Sequence, residues 1–188
     1  MMKIGITGSI ASGKTTSSRI ISRNRGPLFS ADKIVKKLYK NKNFRKTVAK
    51  KLKFKLNQKF KNELLKTILE SKDNLKKLEK LLHPLVRKEM HLFSKKHKNK
   101  KILFFEIPLL IENQMSKLFD KVLFIRLSKN MRLKRYMRNK GNKKLFYLLD
   151  AKQIKDVKKM QFCDHVIVNN SSLYVLKKKL LNIIRKYV

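Results

Sequence analysis

A glycine-rich segment at the start of this 188-residue chain constrains its fold more than any other feature. Three of the five glycines lie within the first thirteen residues: Gly5, Gly8 and Gly13. Residues 8–15 match the pattern G-x-x-x-x-G-K-[ST], with an apolar run before them at 4–6 and an amphipathic run after them at 14–24. These runs predict a strand, a tight loop and a helix in that order, which is how a parallel α/β sheet begins.

The same segment predicts a phosphate site. In such a loop, consecutive backbone amides converge on phosphate oxygens, and the helix that follows directs its positive end towards them. Lys14 is expected to neutralise the β and γ phosphates of ATP, and the Thr15 hydroxyl is expected to bind Mg²⁺. The other expected ATP contacts in the loop are Gly8, Ala11, Ser12, Gly13 and Thr16. An ordinary glycine-rich turn is the alternative interpretation.

Later apolar runs predict the rest of the fold. Four of them predict strands, at residues 28–30, 102–105, 122–125 and 166–168. Short continuous apolar runs are typical of strands buried on both faces. The pattern over 31–100 is helical, with Pro84 expected to kink or restart a helix, and 173–187 predicts a closing amphipathic helix. We therefore predict a three-layer α/β fold with a five-stranded parallel sheet and right-handed crossovers.

The charge of the chain is strongly positive. It has 50 Lys and Arg against 12 Asp and Glu, a formal net charge of +38, and the lysines are dispersed along the whole chain. A dispersed excess is typical of a solvated surface. The alternative is a nucleic-acid binder that neutralises phosphates. We expect no specific nucleic-acid partner, only weak binding that salt removes.

The cysteine content and the hydropathy pattern indicate where such a chain works. A single cysteine, Cys163, excludes an internal disulfide and a multi-cysteine zinc site. The longest nearly apolar stretch, 102–111, is much shorter than the roughly 20 residues of a membrane-spanning helix. We expect a soluble cytoplasmic protein that is not exported, has no membrane partner and is a monomer.

Three acids are candidates for chemistry at the carboxyl ends of the predicted strands. Asp32 follows the second strand, where it is suited either to accept a proton from an attacking hydroxyl or to cap the helix that starts near residue 33. Glu106 ends the third strand and is either an acid close to the metal or a surface acid paired with a lysine. Glu112 is either a second acid of the same kind as Glu106 or a structural residue that orders the segment beginning at Pro108.

Residues 126–144 contain nine basic side chains. Arg135 and Arg138 are one helical turn apart, so one helix face would present two guanidinium groups to a triphosphate. A lid of this kind would expel water and stabilise charge on the transferring phosphoryl group. A solvated basic face is the alternative.

Together these motifs resemble the dephospho-CoA kinase family over nearly the whole chain. The matching blocks are the loop at 7–16, Ser30-Ala31-Asp32, the segment 78–87 with His83-Pro84, the segment 107–112, Arg135, Arg138, Gln153, and the segment 163–169. Where the family often has Asp-x-Asp before the second helix, this chain has Ser30, which leaves Asp32 without a neighbouring carboxylate. At the basic position after Gln153, where arginine is usual, this chain has Lys159, which does not offer the two-pronged contact of a guanidinium.

The resemblance implies transfer of the γ-phosphoryl group of ATP to the 3′-hydroxyl of the dephospho-CoA ribose, with Mg²⁺. It implies a nucleotide-binding core (1–30, 101–127 and 145–188), a helical CoA-binding subdomain (31–100) and a lid (128–144). It favours Asp32 as the base, with Lys14 and Arg135 as its catalytic partners and Arg138 at ATP. Thr15 and Glu106 are the expected metal residues. The acceptor would be bound by Asp32, His83, Arg87, Pro108, Leu109 and Glu112.

Two other functions fit part of the same pattern. One is a kinase for another nucleoside or small metabolite, and the other is a basic RNA-binding protein whose ATPase activity is incidental. No recognisable RNA-binding motif accompanies the basic runs, which disfavours the second.

Overall fold

Five parallel strands form one sheet, in the spatial order β2-β3-β1-β4-β5. In the computed structural model, which describes residues 1–187, the strands are β1 Met2–Gly8, β2 Leu28–Ser30, β3 Ile102–Glu106, β4 Lys121–Arg126 and β5 His165–Val168. All four neighbouring pairs are parallel. The predicted five-stranded parallel sheet is confirmed, because each strand coincides with one of the predicted apolar runs.

Helices connect the strands. The α-helices of the described chain are α1 Lys14–Ser22, α2 Ala31–Leu38, α3 Lys42–Leu52, α4 Phe60–Glu70, α5 Lys72–Lys96, α6 Lys129–Arg138, α7 Lys143–Ala151, α8 Asp156–Met160 and α9 Leu173–Ile184. None of the helices in this part of the chain is both long and apolar enough to cross a membrane.

Of the two outcomes predicted at Pro84, a restart of the helix is wrong, since α5 continues through that residue, and a kink stays a prediction. A proline inside a helix costs about 3 kcal/mol through the lost hydrogen bond and the clash of its ring. Leu75, Leu78 and Leu82 are buried along one face of the same helix. Each buried leucine contributes about 1.5–3 kcal/mol, so together they outweigh the proline.

The described chain divides into two compact units. One consists of residues 1–30 and everything from residue 94 onward, and it contains the sheet with α1 and α6–α9. The other consists of residues 31–93 and contains α2, α3, α4 and most of α5.

The core of the first unit packs against both faces of the sheet. On one face, α1 and α9 cover a buried cluster: Ile4, Ile6, Ile21, Ile102, Phe104, Leu123, Ile125, Ile167, Leu176, Leu180 and Ile184. On the other, Gly5 lets two side chains approach the backbone closely, because a Cβ there would lie 2.8 Å from Leu110 and 3.0 Å from Phe119.

The strand register brings three chain segments to one edge of the sheet. Ile6 of β1 and Ser30 of β2 both lie opposite Glu106 of β3. The carboxyl ends of these strands therefore meet where the glycine loop begins. In parallel α/β sheets this edge collects ligands.

Candidate active site

The loop between β1 and α1 has the backbone of a phosphate cradle. Ala11 and Gly13 have φ angles of 59° and 98°, so the chain turns through left-handed conformations. The Ser12 amide donates to the Ser9 carbonyl at 3.1 Å. A side chain at Gly13 would collide with Asn169, which explains the glycine. Gly13, the N-cap residue of α1, has no side chain with which to bond the first amides, and amides at a helix N-terminus bind anions.

Lys14 and Thr15, the first residues of α1, lie at this cradle. The Lys14 side chain is buried, and its Nζ donates to the Ser9 carbonyl at 2.9 Å. Thr15 Oγ1 donates to Glu106 Oε1. Glu106 is 1% exposed, so the alternative of a surface acid paired with a solvent lysine is wrong. Its carboxylate instead faces the start of the helix that follows the loop.

The Thr15 and Glu106 pair suits a magnesium ion. A threonine hydroxyl has one proton and two lone pairs, so its bond to Glu106 leaves lone pairs for a cation. Mg²⁺ prefers oxygen ligands and is usually held by one or two protein groups together with water and substrate phosphates. Among the described residues no group of three or more His, Cys, Asp and Glu forms a metal cage.

Arg135 of α6 lies beside the loop. Its Nη2 donates to the Asn169 carbonyl at 3.3 Å, and its Nη1 is 3.5 Å from where a Gly13 Cβ would be. The Asn169 side chain donates to the Ser12 carbonyl at 2.8 Å. Asn169, the residue that follows β5, thus connects Arg135 to the loop. Arg138 is the last residue of α6 and is exposed.

A buried arginine anchors α6. Arg132 is 6% exposed, donates through Nε to the Leu127 carbonyl at 3.1 Å, and pairs with Asp150 of α7 at 2.5 Å. Lys129 pairs with the same carboxylate at 3.2 Å. Burial opposes ionisation of Asp150, but its hydrogen bonds and attraction to Arg132 and Lys129 prevail and lower its pKa. Arg132 is therefore an anchor that keeps α6, and with it Arg135, in place.

The predicted acceptor segment packs beside the loop. Thr7 Oγ1 donates to the Pro108 carbonyl at 3.1 Å, and Leu109 is half-buried. Glu112 Oε1 pairs with Lys159 Nζ at 2.7 Å. The sequence marks Lys159 only as the basic position after Gln153 where arginine is usual, and it predicts neither the burial of this lysine nor its contact with Glu112.

Three predicted residues belong to the second unit. Asp32 is exposed and lies in the first turn of α2, which begins at Ala31, so the proposed cap of a helix starting near residue 33 is wrong. A carboxylate in the first turn is favourably placed in the field of the helix. His83 and Arg87 are four residues apart on α5 and therefore share a face.

Cys163 does not supply a nucleophile. Its thiol donates to the Lys159 carbonyl at 3.2 Å, and burial raises its pKa to about 12. It therefore remains a protonated thiol at neutral pH.

Comparison with known proteins identifies relatives of the chain. The family model described as dephospho-CoA kinase matches residues 2–174. The dephospho-CoA kinase of Fusobacterium nucleatum is 33% identical over 187 residues, 95% of each chain. A solved dephospho-CoA kinase from Campylobacter jejuni is 28% identical, with a TM-score of 0.65 over 98% of this chain and 96% of that one. A shikimate kinase from Bacteroides thetaiotaomicron shares the fold. It is 10% identical, with a TM-score of 0.61 over 98% of this chain and 97% of that one.

Proposed function

Because the chain belongs to the dephospho-CoA kinase family and is a kinase, we propose that it phosphorylates the ribose 3′-hydroxyl of dephospho-CoA with ATP. The observation that carries this proposal is the convergence of Lys14, the Thr15 and Glu106 pair, and Arg135 on one glycine loop. The products are CoA and ADP, which completes the synthesis of coenzyme A.

The loop binds ATP through its phosphates. The backbone at Gly8, Ala11, Ser12 and Gly13 and the first amides of α1, including that of Thr16, surround the β and γ phosphates. Lys14 moves its ammonium group from the Ser9 carbonyl to these phosphates, where it neutralises their charge. Arg138 is exposed at the end of α6, and we assign it to bind the phosphates of ATP.

Asp32 is assigned as the base. It follows the end of β2 by two residues, and β2 ends opposite Glu106 in the strand register. The Asp32 carboxylate accepts the proton of the 3′-hydroxyl. The oxygen of that hydroxyl forms a bond to the γ phosphorus while the bond between this phosphorus and the ADP oxygen breaks. Lys14 and Arg135 stabilise the negative charge that spreads over the transferring group.

Thr15 and Glu106 are assigned to Mg²⁺. When bound, the ion neutralises phosphate charge. The Thr15 hydroxyl would be its direct protein ligand, and Glu106 orients that hydroxyl or holds a water of the ion.

The acceptor is assigned to two groups of residues. His83 and Arg87 share a face of the helical segment 31–100, which we take as the CoA-binding subdomain. Pro108, Leu109 and Glu112 belong to the segment of the nucleotide-binding core that packs beside the loop. Residues 128–144 are assigned as the lid, since they include the arginine that contacts the loop region.

The protein is further proposed to act as a cytoplasmic monomer without a specific nucleic-acid partner. The single cysteine and a substrate drawn from coenzyme A synthesis support the cytoplasm. The net charge of +38 disfavours self-association, because like charges repel.

The assay of phosphoryl transfer tests the proposal directly. Purified protein with ATP and Mg²⁺ is expected to convert dephospho-CoA to CoA and ADP, measured by separating the nucleotides. A panel of nucleosides and small alcohols serves as the control for acceptor choice. Folded protein that binds ATP but phosphorylates another acceptor, or hydrolyses ATP only when RNA is present, would contradict the proposal.

Replacing Glu106 by glutamine should raise the Mg²⁺ concentration for half-maximal activity by roughly 10- to 100-fold, as for other residues that orient a metal ligand. The substitution keeps the shape of a side chain that is 1% exposed but removes its charge. Glu70→Gln, at the exposed end of α4, is the matched control. An unchanged Mg²⁺ dependence would remove Glu106 from the metal site.

A further inference from the structure

A second lysine, distinct from the one in the glycine motif, contacts the same loop. Lys159 of α8 is 1% exposed. Its Nζ lies 2.7 Å from Glu112 Oε1, 3.2 Å from Gln153 Oε1 and 3.3 Å from Ser9 Oγ. An ammonium group has three protons to donate, and each has an acceptor here. A buried charge that is fully paired in this way is held in one position.

Ser9 is the residue through which this lysine reaches the loop. Its hydroxyl accepts from Lys159 and donates to Asp156 Oδ1 at 2.5 Å. Its carbonyl accepts from Lys14 Nζ at 2.9 Å and from the Ser12 amide at 3.1 Å. The side chain of Ser9 is therefore tied to α8, while its backbone closes the turn of the phosphate loop.

Gln153 makes a second connection between the same elements. Its Oε1 accepts from Lys159 and from the Ile10 amide at 3.3 Å. Two consecutive loop residues, Ser9 and Ile10, thus depend on the position of one ammonium group. Glu112, whose Oε1 also accepts from the Ile154 amide at 3.2 Å, supplies its counter-charge.

We propose that Lys159 is a positioning residue for nucleotide binding: it holds Ser9 and Ile10 so that the loop amides are pre-organised for the phosphates. The inference rests on the proposed function in taking the nucleotide as ATP. It gives Glu112 a second role besides acceptor binding, as the carboxylate that pairs with Lys159. Because the effect passes through the loop, it should appear as nucleotide affinity and not only as stability.

The test separates positioning from folding. Lys159→Met is expected to weaken binding of a non-hydrolysable ATP analogue roughly tenfold, on the scale of lost hydrogen bonds to a charged group, and to lower Tm because the largely covered Glu112 carboxylate loses its counter-charge. In Glu112→Gln with Lys159→Met, Tm should recover while the weakened affinity remains. Lys158→Met, the exposed neighbour on α8, is the matched control for lost charge and should bind as wild type does.

Several outcomes would overturn the inference. They are wild-type affinity in folded Lys159→Met, affinity that recovers together with Tm in the double variant, or an equal loss in Lys158→Met. Ser9→Ala removes the hydroxyl contacts but keeps the carbonyl, so it should also weaken analogue binding even where the lysine variants do not fold; wild-type affinity there would overturn the inference as well. Wild-type protein that fails to bind the analogue would defeat the proposed function itself, and the inference with it.

Discussion

Replacing Asp32 by asparagine is expected to lower kcat by about 10²-fold or more while leaving the Kd for ATP unchanged. Asparagine keeps the size of the side chain but does not accept the proton of the acceptor hydroxyl. The assay compares turnover with dephospho-CoA at saturating ATP with analogue binding to the same preparation. Because Asp32 is exposed in the first turn of α2, the protein should remain folded.

Asp73→Asn is the matched control for this experiment. Asp73 also occupies the first turn of a helix, α5, and its carboxylate is exposed next to Lys76. Both variants lose the same favourable interaction with a helix N-terminus, which is worth about 0.3–1 kcal/mol. Turnover that falls equally in the two variants, or in neither, would return Asp32 to a purely helical role and remove the proposed base.

Arg135→Ala should reduce kcat by about 10³-fold, the lower end of what an arginine facing a transferring phosphoryl group contributes. Its guanidinium is next to Gly13 and bonded to the Asn169 carbonyl, so the charge lies where the phosphates are expected. Rapid measurement of a single turnover isolates the chemical step from product release. Arg135→Lys should recover part of the rate, since lysine keeps the charge but not the planar fork.

Lys134→Ala provides the control on the same helix. Lys134 is the preceding residue of α6 and is exposed, so its truncation removes one positive charge and the helix is otherwise unchanged. In a chain with a net charge of +38, this control separates a local effect from a general loss of attraction for ATP. A loss in Arg135→Ala no greater than that in Lys134→Ala would contradict a role in transition-state stabilisation.

Agreement between sequence and structure is greatest where the determinants are local. The motif at 8–15 predicted a turn between a strand and a helix, and the backbone turns there through Ala11 and Gly13. The five predicted runs form five strands, and the expected burial on both faces holds for most residues of β1, β3 and β4. It fails for β5, where Ile167 is buried but Val166 and Val168 are exposed, because β5 lies at the side of the sheet. The predicted restart at Pro84 is wrong because the local cost of a proline in a helix is outweighed by the burial of Leu75, Leu78 and Leu82 in the same helix.

Contacts between distant residues were predicted less completely. Thr15 and Glu106, 91 residues apart, were expected at one metal site, but the hydrogen bond between them was not predicted. The contact of Ser9 with Lys159, 150 residues away, was not expected at all. The resemblance marked Lys159 as a position where arginine is usual, but nothing in the sequence showed that this lysine is buried, or that Arg132 differs from the other arginines assigned to a lid. Lys159 and Arg132 are set apart by burial beside a carboxylate, Glu112 for the lysine and Asp150 for the arginine.

The linear chain was thus sufficient to specify a phosphate-binding loop, the number and direction of the strands, and the kind of reaction. The loop and the strands depend on a local turn motif and on continuous apolar runs, which neighbouring residues decide. The kind of reaction followed from the resemblance of the assembled motifs to one family. The hydrogen bond of Thr15 with Glu106, the contact of Lys159 with Ser9 and the distance of Arg135 from Gly13 depended on the strand order β2-β3-β1-β4-β5. That order places β3 and β4 on either side of β1 and so brings to one edge side chains that the sequence keeps far apart.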